Sequence, residues 1–159
     1  MITNAARKST APYITTASAT QEATPASMLL KASDLAPFAL ESLWYRIQKL
    51  SWLQNNWDGF GSAKPNPVSI QLAGSSVVGF FDAATKLTEY GWSDPHVSAN
   101  ESGDVVFEWW QGSKKITLYV RPIATDFVLV WGDNMDTEMD EGTIITLENF
   151  ADIWNWLHT

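Results

Sequence analysis

Apolar positions first fall into a helical period at Phe38. Phe38, Leu40, Leu43, Trp44, Ile47, Leu50, Leu53 and Trp57 recur at spacings of three and four, with Glu41, Arg46, Gln48 and Lys49 between them. That spacing predicts an amphipathic helix opening near Asp34 and Pro37 and ending near Asn55, where Asn55-Asn56 and Asp58-Gly59 break the pattern. A second helical pattern runs from the N-cap Asn66 and the first-turn Pro67 toward Tyr90 and stops at Gly91. Its stripe is Ile70, Ala73, Val77, Val78, Phe81, Ala84, Leu87 and Tyr90. Gly74 and Gly79 lie inside it, each costing about 1 kcal/mol against alanine, and they imply close approach of another element. After Trp92 and Pro95 the period becomes alternating. Strands are expected at His96–Ala99, Asp104–Trp110, Lys115–Arg121, Phe127–Trp131 and Thr143–Leu147, joined by short turn clusters that suit antiparallel neighbours. Phe150, Ile153, Trp154 and Leu157 return to helical spacing across Glu148–His158. The expected class is α+β: two N-terminal helices joined by a Gly/Pro loop, an antiparallel meander of four to five strands, and a short C-terminal helix.

Alternation assigns faces. Val105, Phe107 and Trp109 share one side of their strand, and Ile116, Leu118 and Val120 are their core partners. The other side then carries Glu108, Trp110, Thr117, Tyr119 and Arg121. In the fourth strand Phe127, Leu129 and Trp131 alternate with Val128 and Val130, so both faces are apolar and two covers are expected. The first two helices supply one. The C-terminal helix, the N-terminal residues or another subunit is expected to supply the second.

Residues 1–33 repeat Thr, Ala and Ser with Pro12 and Pro25 and almost no apolar period. They predict a disordered or loosely docked tail ahead of a single domain over 34–159, with Tyr13, Ile14, Met28, Leu29 and Leu30 as its docking points. Nine tryptophans, seven phenylalanines and four tyrosines predict a core of large rings, with some rings left over for recognition. Ten basic against eighteen acidic residues give a formal charge of −8. No basic stripe overrides that charge, which repels a phosphate backbone, so a nucleic-acid partner is disfavoured and a basic protein surface suits it better. The absence of cysteine excludes disulfides, a thiol nucleophile and thiolate metal ligands. No apolar run reaches the roughly 18–20 residues of a membrane span and no signal-peptide core follows the first charges, so a cytoplasmic protein without membrane contact is expected.

Between the helical patterns lies Asn55-Asn56-Trp57-Asp58-Gly59-Phe60-Gly61-Ser62, followed by Pro65 and Pro67. Turn chemistry accounts for each residue: glycines for unusual backbone, Asp58 to cap nearby N–H groups, prolines to stiffen the exit. Loops of this kind also carry function, with Asp58 and Phe60 the exposed candidates. Together with Pro95 and the run Ser102-Gly103-Asp104-Val105-Val106-Phe107-Glu108-Trp109, this loop resembles a group of small uncharacterised bacterial and phage proteins that share an N-W-D-G-aromatic-G-small loop ahead of such strands. The likeness covers roughly residues 43 to 130, departs at Ser62, where the group usually has Ala, and implies a bacterial or phage origin rather than a mechanism.

Catalytic equipment is sparse. His96 and His158 are the two histidines, and neither has metal-ligand or nucleophile spacing. No Gly-x-Ser-x-Gly elbow or phosphate loop is present. Acidic residues at 136, 138 and 140 alternate as calcium ligands do, but Glu141 precedes Gly142 and position 147 is Leu, which breaks the register of a calcium loop. No metal or cofactor is called for. The leading expectation is a non-enzymatic interaction module of the inhibitor, antitoxin or immunity type, or a homo-oligomer, binding through Glu108, Trp110, Tyr119 and Arg121 with Asp58 and Phe60 as a second surface. Its alternatives are a small hydrolase using the Asp58 and Glu108 carboxylates, whose aromatic settings would raise their pKa values, and a ligand-binding module using exposed Trp rings.

Overall fold

The computed structural model describes residues 38–134 and 136–159. The expected tail over 1–33 and the helix start at Asp34 and Pro37 lie outside them. Helix α1 (Glu41–Lys49) tightens into a 3-10 turn over Leu50–Trp52, and α2 spans Pro67–Leu87. Five strands follow: β1 (His96–Ala99), β2 (Val105–Gln111), β3 (Lys114–Val120), β4 (Thr125–Val130) and β5 (Met139–Ile144). Helix α3 (Leu147–His158) closes the chain. The strands pair in sequence order, each antiparallel to the next, so the α+β class, the meander and the C-terminal helix are as expected.

Local chemistry sets the helix ends. The Asn66 side-chain oxygen accepts from the Val68 N–H at 2.8 Å and Pro67 opens α2. The helix stops at Leu87 rather than Tyr90, because Thr88 is extended and its hydroxyl donates back to the Ala84 carbonyl. Leu87 and Tyr90 accordingly stand about half exposed, and the buried stripe ends at Ala84. Thr146 and Asn149 form a reciprocal capping box at the start of α3.

Two members of the first apolar stripe were misassigned. Phe38 is 80% exposed and precedes α1, whose N-cap is Leu40. Trp57 is 36% exposed: the chain turns extended at Leu53, before Asn55, and the ring lies in the following loop, where its indole N–H donates to the Ala63 carbonyl at 3.1 Å.

The fifth strand also lies elsewhere. It begins at Met139, within the acidic segment, and not at Thr143. Phe127 stands opposite Gly142, where a Cβ would come within 2.7 Å of the ring. The missing side chain lets the Phe127 ring lie across the edge strand. Asp140 and Glu141, both exposed, join the ladder through their backbones and give this edge the charges that discourage further pairing.

Among the described residues the helices all contribute to one core against one face of the sheet. Leu43 and Ile47 of α1, Val77 and Phe81 of α2, and Phe150 and Trp154 of α3 join Val105, Phe107, Trp109, Ile116, Leu118 and Val120. Trp154 lies 5.6 Å from Trp109 and 5.8 Å from Trp92, and its indole donates to the Gly91 carbonyl. Phe80 stacks on Phe150 at 4.5 Å. A Cβ on Gly79 would stand 2.9 Å from Leu147, so this glycine does permit a close helix crossing; one on Gly74 would meet nothing within 4 Å. The C-terminal helix therefore does not cover the second face of the sheet. Its apolar stripe is spent on the core that α2 has already roofed, and none of the other described residues forms an element over the opposite face.

Candidate functional site

The register defines the open face. One row across it is His96, Glu108, Thr117, Val128 and Glu141, and the next is Ser98, Val106, Tyr119, Asp126 and Thr143. Trp110, Lys115, Val130 and Met139 form a third. Trp110 is 54% exposed, whereas Trp109, one residue earlier and on the core side, is 3% exposed. Thr117 and Val106 are buried although, among the described residues, no helix lies over them.

Two polar clusters frame this surface. At one end the Lys115 ammonium pairs with the Glu108 carboxylate at 2.5 Å and sits 5.2 Å from the Trp110 ring centre, with the His96 ring 6.2 Å from that of Trp110. At the other, the Arg121 guanidinium pairs with Asp126, whose second oxygen accepts from the Thr143 hydroxyl at 2.8 Å. Tyr119, Arg121 and Asp126 help line an open cleft of about 610 Å³, together with Asn100, Asp104 and Glu141. The structure thus brings Glu108 to Trp110 and Tyr119 to Arg121, and puts all four on one face.

Asp58 and Phe60 belong to a different place. Their loop is tied to the β1–β2 turn: Ala63 N–H donates to the Glu101 carbonyl and Asn66 N–H to the Gly103 carbonyl, both at 2.8 Å. Gly103 has φ +84°, and a Cβ there would stand 2.6 Å from the Lys64 carbonyl oxygen, so only glycine permits this seam. Inside the loop, Asp58 accepts from the Phe60 N–H at 2.9 Å and from the Ser62 hydroxyl at 2.5 Å. Phe60 forms the tip and is 94% exposed.

These donors overturn the expectation of a raised pKa. The Ser62 hydroxyl first, and then the Phe60 N–H, favour the charged carboxylate and hold Asp58 below its ordinary value. A carboxylate stabilised in that way is a turn brace and a poor general acid. Glu108 is tied to Lys115 instead, and neither residue lines the clefts of about 610 and 580 Å³. The paired-carboxylate hydrolase has no common site here. Trp110 lies outside the cleft that Tyr119 lines, whereas Trp44 lines the other.

Sequence reasoning missed Lys115, His96 and Asp126 as members of the face. Lys115 was legible: the Gly112-Ser113 turn fixes Gln111 opposite Lys114, and hence Trp110 opposite Lys115. Asp126 depends on the longer turn after Val120, whose register the sequence does not set. Among the described residues no group of three or more His, Asp or Glu is placed to hold a metal ion, and no helix is long and apolar enough to cross a membrane. Compared with known proteins, the chain matches no family model, no curated protein and no solved structure.

Proposed function

We propose that this chain is a non-enzymatic interaction module that binds another protein through the open face of its sheet. Trp110 and Tyr119 are its anchors, and Glu108, Lys115, Arg121 and Asp126 its polar rim. The observation that carries this reading is the absence of any described element over that face, on which the Trp110 indole stands more than half exposed beside Lys115 and His96. An accessible aromatic bordered by charges has the composition of a protein-binding hot spot. The ion pairs position the rim before a partner arrives, which lowers the ordering cost of binding. We assign the module to the inhibitor, antitoxin or immunity kind, whose work is to occupy a partner's surface. The Asn56–Ser62 loop supports a bacterial or phage origin, and the cysteine-free composition fits a cytoplasmic setting.

The experiment captures the partner with full-length protein from the source cell, identifies it, and measures the purified pair. Trp110→Ala and Tyr119→Ala should each weaken binding at least about tenfold while leaving the fold intact. Gln71→Ala, an exposed change on α2, should leave affinity unchanged. Wild-type affinity in both sheet-face variants would overturn the assignment.

A further inference from the structure

Three exposed rings flank and occupy α1. Phe38 before its N-cap, Tyr45 within it and Trp52 at the end of the 3-10 turn stand seven residues apart and are 80%, 57% and 66% exposed. Within α1, Tyr45 lies about 200° from Leu43 and from Ile47, which puts it opposite those buried residues. Lys49 lies over two of the rings, its ammonium 4.9 Å from the centre of the Tyr45 ring and 6.0 Å from that of Trp52. An outward helix face ordinarily carries polar residues, and exposed aromatics on and beside this one mark an interaction surface.

This segment is self-complementary about Tyr45. Phe38 is seven residues before it and Trp52 seven after; Glu41 is four before and Lys49 four after. A two-fold axis at Tyr45 brings the Phe38 end of each copy to the Trp52 end of the other. It also sets each Glu41 level with the opposing Lys49, whose ammonium already leans over the rings. Parallel pairing would put like charges side by side. We propose that a second copy of this chain docks here, α1 against α1 in antiparallel orientation, in an isologous pair.

The area sets the strength. Six rings at these exposures offer roughly 600–900 Å², less than the ~1,200 Å² at the low end for stable interfaces. The pair is therefore weak and reversible. Because α1 lies on the helical side of the sheet, the open face stays clear in each copy. The pairing accordingly stands independently of the partner-binding reading.

Sedimentation equilibrium of the full-length chain tests it, over about 5–300 µM. A reversible dimer is expected within that range, and Tyr45→Ala should weaken it at least about tenfold without changing the circular dichroism. Glu41→Lys and Lys49→Glu should each weaken it, whereas an equimolar mixture of these two variants should recover wild-type association, because every facing pair is then opposite in sign. Trp110→Ala should leave it unchanged. A chain monomeric throughout the range, a dimer indifferent to Tyr45→Ala, a mixture that fails to recover, or a dimer lost with Trp110→Ala would each overturn the proposal.

Discussion

Asp58 shows how a single side chain can hold a loop and lose candidacy for catalysis by the same hydrogen bonds. Its folded pKa lies below the ordinary 3.8, with the Ser62 hydroxyl as the largest cause. A depressed carboxylate pKa contributes stability that is present above the unfolded value and is lost as the pH falls through the folded one. The loop should therefore hold from neutral pH down to about 4 and loosen below that. Asp58→Asn keeps an acceptor for the Phe60 N–H but loses the charge that the Ser62 hydroxyl meets. Its melting temperature should lie below wild type at pH 7, and the gap should close as the pH falls toward 2. A gap that stays constant across that titration would show that the charge does not brace the loop. Glu148 follows the same sign at the start of α3, where its own N–H and the Thr146 side chain lower its pKa.

Among elements, the two glycines of α2 separate helix propensity from packing. Replacing either by alanine gains about 1 kcal/mol of propensity. At Gly74 the new methyl meets nothing within 4 Å, so the whole gain should appear as added stability in a denaturant melt. At Gly79 it comes within 2.9 Å of the tip of Leu147, whose half-exposed side chain must give way, and the gain should be smaller. Equal gains would mean that the α2–α3 crossing is looser than this packing. Elements with a strong period were legible: the Ile70–Ala84 stripe, the alternation of Val105–Trp109 and the Phe150–Leu157 stripe each name buried faces that the structure contains. The site was legible through the same parity, which set Glu108, Trp110 and Tyr119 opposite the core. What the sequence hid was non-local. An acidic edge strand has no apolar alternation to reveal it, and its place depends on Phe127 finding Gly142 across the ladder. The side of the sheet chosen by α3 depends on Trp154 meeting Trp92 and Trp109, from distant parts of the chain.

At the scale of the molecule, charge and rings divide the work of association. Arg46, Lys86, Lys115 and Arg121 are each paired with a carboxylate, which leaves most of the formal −8 expressed by acids elsewhere. Asp133, Asp136, Asp140 and Glu141 all stand exposed along the β4–β5 hairpin, and Glu141 also borders the cleft on the open face. In the proposed complex, a field of that sign would steer a basic partner toward this edge over distances comparable with the Debye length, about 10 Å at 0.1 M salt. Once contact is made, residence depends on the desolvated anchors and not on the rim. Stopped-flow measurements with the captured partner should therefore show the association rate falling several-fold between about 50 and 500 mM NaCl, while the dissociation rate changes little. Trp110→Ala should do the reverse, raising the dissociation rate and leaving the salt slope intact. An association rate independent of salt would remove the acidic edge from the recognition process and leave the aromatic anchors to account for it alone.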